Sequence, residues 1–149
     1  MASPKVLGIS GSLRSGSFNT KLLNVAITSF GDAEENVADI NFPLYDGDIE
    51  AQGIPDAVQA FAAQIAQADA VIISSPEYNK CISGALKNAL DWVSRVEGNV
   101  FRGKPTLVIG AAAGRTGRIF RRDVQGKRAG PAQFQVDHSG GRAEKIRVE

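Results

Sequence analysis

A turn rich in hydroxyl groups and glycine gives the strongest chemical signal in the sequence. Residues 10–20 contain four serines, two glycines and Arg14; they follow the apolar run Lys5–Ile9 and precede a helical pattern. Such a strand-to-helix turn presents backbone N–H groups, hydroxyls and a guanidinium where the helix dipole favours negative charge. The sequence therefore predicts that the ligand carries a phosphate.

The elements that would position this turn alternate between strand and helix over the first 117 residues, as in an α/β protein. The predicted strands are Lys5–Ser10, Asn36–Ile40, Ala70–Ser75 and Lys104–Ile109. The first helix is predicted from about Ser17 to Phe30, the second has Pro55 at its first position, and the third is capped by Ser83. The apolar face of the third helix is predicted to contain Ile82, Leu86, Ala89, Leu90 and Val93. The acidic segment Asn41–Gly53 is predicted to be a connecting loop.

Three loops of unusual composition leave the predicted strands at the same edge of the sheet. Parallel strands with right-handed crossovers all open on one edge, where ligands of such sheets bind. The loops are Ser10–Asn19, Ser74–Asn79 and Gly110–Gly117. The first of them matches neither the dinucleotide fingerprint G-x-G-x-x-G nor the P-loop pattern. The sequence therefore favours a mononucleotide over a dinucleotide or a nucleoside triphosphate.

Composition excludes several other classes of protein. A chain of 149 residues with 43% apolar residues is about one domain. Cys81 is the only cysteine, so no internal disulfide and no cysteine-based zinc site is predicted. The chain has no apolar run of ~18 residues and no signal-peptide pattern near Met1, which predicts a cytoplasmic protein without a membrane span. The acidic loop and the scarcity of aromatic residues among the basic ones argue against a nucleic-acid partner.

The last 32 residues differ in kind from the rest. Residues 118–149 carry eight basic and four acidic side chains, whereas residues 1–117 carry nine and twelve. Large apolar residues are sparse in this part and have no sustained helical or strand spacing. We therefore predict a domain at 1–117 and a basic, poorly ordered tail at 118–149. A short strand at Phe134–Asp137 is the one element that the tail pattern indicates.

Three motifs, in this order and spacing, resemble the NADPH-dependent FMN reductase family, the flavodoxin-like quinone, azo and chromate reductases. They are Gly-Ile-Ser-Gly-Ser-Leu-Arg-Ser-Gly-Ser-Phe-Asn at 8–19, Ser-Pro-Glu-Tyr-Asn at 75–79 and Ser-Gly-Ala-Leu-Lys-Asn-Ala-Leu-Asp-Trp at 83–92. The resemblance covers about residues 4–117. It implies a three-layer α/β fold with sheet order 2-1-3-4-5, bound FMN, and hydride transfer from NADPH or NADH through the flavin. The acceptor would be a quinone, an azo compound, a metal oxyanion or free flavin.

The resemblance also assigns the binding residues. It implies that the FMN phosphate lies on Ser10, Ser12, Arg14, Ser17, Phe18 and Asn19. The second loop would lie along the isoalloxazine ring through Pro76, Glu77, Tyr78 and Asn79. The third would approach the ring through Ala112 and Gly114, with Arg115 at the pyrimidine edge or at the NADPH phosphate. No catalytic side chain and no metal ligand is assigned, because hydride chemistry takes place on the flavin.

The sequence departs from the family pattern at two places. At Lys80–Ser83 the family commonly has an aromatic, a small residue, an aliphatic and a proline. Residues 118–149 resemble neither the fifth strand nor the closing helices of the family, which predicts the order 2-1-3-4 with the fifth strand missing or replaced. Assembly of this chain into the homodimers or homotetramers of the family would then be impaired. A degenerate or non-catalytic flavin-binding domain is thus the alternative, and a flavodoxin-type electron carrier is disfavoured by the net charge of +1.

Overall fold

Apolar runs bounded by turn residues form one parallel sheet in the computed structural model, which describes residues 2–111, 134–135 and 147–148. The elements of the first range are β1 (Lys5–Ser10), α1 (Phe18–Thr28), β2 (Glu34–Ala38), α2 (Gly47–Ala51), α3 (Asp56–Gln67), β3 (Ala70–Ser74), β4 (Glu77–Tyr78), β5 (Cys81–Ile82), α4 (Gly84–Val93) and β6 (Thr106–Ile109). The main sheet has the order β2-β1-β3-β6, and all of its pairs are parallel. This confirms the predicted order 2-1-3-4, with β6 as the fourth strand of the sheet.

Helices cover both faces of the sheet. On one face, Leu23 and Ile27 of α1 pack with Val6, Ile72 and Ile109. α1 lies close to β1 because Gly8 has no side chain, and a Cβ there would overlap Ile27 Cδ1. On the other face, α3 and α4 bury a larger cluster that includes Phe61, Ile65, Leu86 and Ala89. Each fully buried large apolar side chain contributes roughly 1.5–3 kcal/mol, so the two clusters fix the helices relative to the strand ends.

Three predictions for the chain between α1 and the start of α3 were wrong. β2 begins at Glu34 and ends at Ala38, two residues earlier than the predicted strand. The short helix α2 lies within the predicted loop, because the Asp46 carboxylate caps it by accepting a hydrogen bond from the N–H of Asp48. Pro55 is the N-cap of α3 and not its first helical residue.

A β-hairpin that the sequence analysis missed precedes α4. Its strands β4 and β5 are joined by Asn79 and Lys80, which both have positive φ values of 52° and 62°. Positive φ at both central residues is the signature of a type I′ turn. Ile82 was predicted to lie on the third helix, but it lies in β5. The predicted cap is confirmed, since Ser83 Oγ accepts from the N–H of Leu86 at 3.2 Å.

The chain between β2 and α2 is fastened to α4. Trp92 is fully buried, and its Nε1–H donates to the Pro43 carbonyl at 2.8 Å. The Tyr45 ring meets the indole edge-on, and its hydroxyl donates to Glu50 at 2.5 Å. Arg95 Nε donates to the other Glu50 oxygen at 2.9 Å. The hydrogen bond from Tyr45, and after it the one from Arg95, lowers the pKa of Glu50, while the bond to Glu50 raises the pKa of Tyr45.

The remaining described residues form a separate two-stranded antiparallel ladder. It pairs β7 (Phe134–Gln135) with β8 (Arg147–Val148). The first two residues of the strand predicted at Phe134–Asp137 are therefore extended, and its last two lie outside the described residues. The domain boundary predicted at residue 117 also lies outside them. In the part of the chain that the structure describes, no helix has the length and apolar character needed to cross a bilayer.

Candidate functional site

Three strands of the main sheet end side by side. Ser10, the last residue of β1, is paired with Ser74, and Ser74 is paired with Ile109, the last residue of β6. The N–H of Gly11 donates to the Ser74 carbonyl at 2.7 Å, and the N–H of Ser75 donates to the Ile109 carbonyl at 3.1 Å. The loops that follow β1, β3 and β6 thus begin at one edge of the sheet, where the sequence places the ligand.

The loop between β1 and α1 is shaped by its own serines. Ser10 Oγ lies 2.7 Å from Thr20 Oγ1 and accepts from the N–H of Ser12 at 3.3 Å. Ser17 is the N-cap of α1, since its Oγ accepts from the N–H of Thr20. Ser12 Oγ accepts from the N–H of Arg14. The hydroxyls of Ser10 and Ser17 are therefore engaged inside the protein, where they hold the loop above the first turn of α1.

Asn19 connects all three loops. Its side chain is buried, with 4% of its surface exposed. Oδ1 accepts from Ser74 Oγ at 3.1 Å and from the N–H of Ala111 at 2.9 Å, while Nδ2 donates to the Ala111 carbonyl at 3.0 Å. One amide group thus joins the start of α1 to the end of β3 and to the loop after β6. Sequence reasoning placed Asn19 at the site but gave no signal for these distant partners.

The charge of the first loop and of α1 is positive. The chain has no acidic residue between Lys5 and Gly31. Arg14 is exposed, and its guanidinium lies near Gly16, where a Cβ would be 3.6 Å from Nη2. Within the described residues Arg14 forms no ion pair. Phe18 is 62% exposed, and the Lys21 ammonium lies 5.3 Å from the centre of its ring. An anion at this loop would meet a guanidinium that none of the described carboxylates neutralises.

The second loop begins with a buried residue and has an exposed tip. Pro76 is buried, whereas Tyr78 is 59% exposed and Asn79 forms the hairpin turn. Glu77 Oε2 is buried and has no hydrogen-bond donor among the described residues. Buried carboxylate oxygens are almost always hydrogen-bonded, so this atom marks a place where a donor is missing.

Serines that the sequence analysis did not assign to the site connect the first loop to the second. Ser83 Oγ donates to the Gly11 carbonyl at 2.5 Å, and Ser83 N–H donates to Ser75 Oγ at 3.3 Å. The absence of a side chain at Gly11 lets the first loop lie against Ser75, since a Cβ at Gly11 would be 2.6 Å from Ser75 Oγ. The only sequence signals were the hydroxyl pair at the end of β3 and the helix-capping position of Ser83.

The third loop is described only at its beginning. Gly110 and Ala111 lie within the described residues. The predicted binding residues Ala112, Gly114 and Arg115 lie outside them, so their roles stay predictions. What the described loops offer is hydroxyls, amides, helix N–H groups and one guanidinium, a donor set suited to an anion. In these ranges no group of three or more His, Cys, Asp or Glu residues could hold a metal ion.

A parallel sheet of order 2-1-3-4, with helices on both faces and binding loops at the carboxyl ends of its strands, is a flavodoxin-like fold. The sequence model of the family described as NADPH-dependent FMN reductase matches residues 4–142. The chain belongs to this family. The match extends beyond residue 117, further than the three motifs.

The names of similar proteins agree with this family assignment. The chain is 50% identical over 115 residues to an NAD(P)H-dependent FMN reductase of Pseudomonas aeruginosa, covering 76% of this chain and 62% of the relative. It is 46% identical over 110 residues to a quinone reductase of Escherichia coli, covering 70% and 57%. The solved structure of FerB, a flavoenzyme NAD(P)H:(acceptor) oxidoreductase from Paracoccus denitrificans, superposes with a TM-score of 0.64 at 38% identity, covering 72% and 60%. The chain therefore spans about three fifths of the length of these relatives.

Proposed function

We propose that this protein is an FMN-dependent NAD(P)H oxidoreductase that reduces a small acceptor such as a quinone. Family membership and the names of the relatives support the reaction class. The observation that carries the proposal is the joining of the three binding loops at one sheet edge by the side chain of Asn19. An azo compound, a metal oxyanion or free flavin is an alternative acceptor, and either NADPH or NADH would serve as reductant.

The first loop fits the phosphate of FMN by its chemistry. Arg14 would donate to the phosphate oxygens, and the N-terminus of α1 would favour the negative charge of the phosphate through the helix dipole. Ser12 and Phe18 would contribute from the same loop. Ser10, Ser17 and Asn19 would act mainly by holding the loop in shape, since their side chains are buried and engaged.

The second loop fits the isoalloxazine ring. Glu77 Oε2 has no donor among the described residues, and a ring N–H would supply one. Exposed Tyr78 offers an aromatic face for contact with the ring. Pro76 precedes β4 and Asn79 follows it, so these two residues fix the ends of that strand. When bound, FMN supplies the capacity to take up and release hydride. The residues of the chain would bind and orient the ring and restrict water, and none of them needs to act as an acid or base. Ala112, Gly114 and Arg115 would complete the site from the third loop.

A second candidate function is a flavin-binding domain without turnover. It stays open because family membership and the joined binding loops support flavin binding and do not by themselves demonstrate turnover. The two candidates share the binding site and differ in whether bound flavin exchanges electrons with NAD(P)H. Redox turnover therefore separates them, and flavin binding alone does not.

The test begins with FMN titration, followed by anaerobic addition of NADPH or NADH and then of a quinone. The oxidoreductase proposal expects retained flavin that bleaches with the nicotinamide and recovers with the quinone. Retained flavin that never bleaches would favour the binding domain, and failure to bind FMN would refute both.

Arg14→Ala tests the phosphate assignment. A charge-assisted hydrogen bond contributes about 1.5–3 kcal/mol, so FMN affinity should fall about 10- to 100-fold, whereas the affinity for riboflavin, which has no phosphate, should not change. Arg102→Ala is the matched control, because Arg102 precedes β6 and lies at the opposite end of that strand from the binding loops. Equal losses for FMN and riboflavin would show that Arg14 does not contact the phosphate.

A further inference from the structure

Ser83 stands where the two described binding loops meet. It is 2% exposed and lies directly between β5 and α4. Its Oγ donates to the Gly11 carbonyl at 2.5 Å and accepts from the N–H of Leu86 at 3.2 Å, while its N–H donates to Ser75 Oγ at 3.3 Å. The cap of a helix alone would need only the bond to Leu86. The other two bonds reach the first loop and the end of β3.

Gly11 is held in turn from several sides. Its N–H donates to the Ser74 carbonyl, its carbonyl accepts from Ser83, and a Cβ in its place would lie 3.0 Å from the Cα of Ser75. The peptide at Gly11 therefore cannot move without disturbing the hydrogen bonds of Ser83. Because β5 ends at Ile82, next to Ser83, a shift of that residue passes directly to the hairpin.

We propose that Ser83 is a positioning residue that couples the loop at 10–17 to the β4–β5 hairpin, so that occupancy of the phosphate end favours binding at the ring end. This inference rests on the proposed function, in which the first loop takes the phosphate and the hairpin takes the ring. Ordering of the first loop by an anion would lower the cost of ordering the hairpin through the Ser83–Gly11 bond.

The backbone of Ser83 allows a variant that removes the bonds without a change of φ or ψ. Its φ is −61° and its ψ is 151°, values that proline adopts. Ser83→Pro thus keeps the chain path and removes both donors together with the cap. Ser83→Thr keeps the N–H and the hydroxyl and should restore the coupling. Ser94→Ala is the control, because Ser94 lies at the other end of α4 and, among the described residues, its exposed hydroxyl bonds only to the Asp91 carbonyl.

The binding test uses riboflavin as the probe of the ring end and inorganic phosphate as the probe of the phosphate end. Saturating phosphate should raise the riboflavin affinity of the wild type and of Ser83→Thr and Ser94→Ala by about fivefold, the lower end of typical coupling between sites. The increase should disappear in Ser83→Pro. An equal increase in Ser83→Pro and the wild type, or no increase in the wild type, would overturn the proposal.

Amide hydrogen exchange without any ligand separates this inference from the proposed function. Exchange in peptides covering 11–17 should be faster in Ser83→Pro than in the wild type and unchanged in Ser94→Ala. If the wild type binds neither FMN nor riboflavin, the proposed function fails, while exchange still tests the connection between the loops. Identical protection of residues 11–17 in Ser83→Pro and the wild type would overturn the coupling.

Discussion

Replacing Asn19 by alanine should weaken the whole fold as well as the site. The change removes three hydrogen bonds from a buried amide and leaves Ser74 Oγ, which is fully buried, without its acceptor. At about 1 kcal/mol for each bond, the loss is about 3 kcal/mol. Alanine is the better helix former and returns about 0.5 kcal/mol. We therefore expect the free energy of unfolding to fall by about 2–3 kcal/mol, which is a large fraction of the roughly 5–15 kcal/mol typical of a domain.

Urea unfolding followed by circular dichroism measures this loss. Asn24→Ala is the matched control, because Asn24 lies exposed on the same helix and should be neutral or slightly stabilising. Asn19→Ala should also bind FMN more weakly than Asn24→Ala, because all three loops lose their common contact. If the two variants unfold within about 0.5 kcal/mol of each other, the hydrogen bonds of Asn19 do not hold the loops together.

Two further changes test the packing and the electrostatics. Gly11→Ala should lower the free energy of unfolding by about 1–3 kcal/mol, because the new methyl group overlaps Ser75. Urea unfolding measures this loss, and Gly47→Ala is the control because its methyl group would meet nothing within 4 Å. Equal stability of the two variants would contradict the prediction. The pKa of Glu50 is lowered first by the Tyr45 hydrogen bond, so its contribution to stability is present above its ordinary pKa and is lost as the pH falls through the lower pKa of the folded state. Glu50→Gln should therefore lose less stability on acidification than the wild type, and parallel urea midpoints of the two proteins from neutral to acid pH would refute this.

Local sequence patterns predicted the elements whose cause is itself local. The buried run of β1 and the cap at Ser83 follow from apolar runs and capping chemistry, whereas the order of the parallel strands was implied by the family resemblance. The hairpin was not predicted, since the turn at Asn79 and Lys80 lacks the glycine that usually marks type I′ geometry. The helix α2 was not predicted either, because its five residues have no buried side chain to produce an apolar period.

The predicted binding residues of the first two loops lie at one edge of the sheet, but their hydrogen-bond partners could not be predicted from the sequence. The side chains of Ser10 and Asn19 both have partners inside the protein. The distant partners of Asn19 are set by packing of the strands, which no local pattern encodes. The roles predicted for Ala112, Gly114 and Arg115 stay predictions.

The contact between Asn19 and Ala111 has a consequence for the order in which the parts of the protein fold during synthesis. The two residues are 92 positions apart in the sequence. During synthesis the first loop leaves the ribosome early, whereas β6 and Ala111 emerge only after all the other elements of the main sheet. Contacts of such high sequence separation form late, because the entropy of closing a long loop must be overcome first. The first loop is therefore translated near the start and reaches its final form only when β6 has joined the sheet.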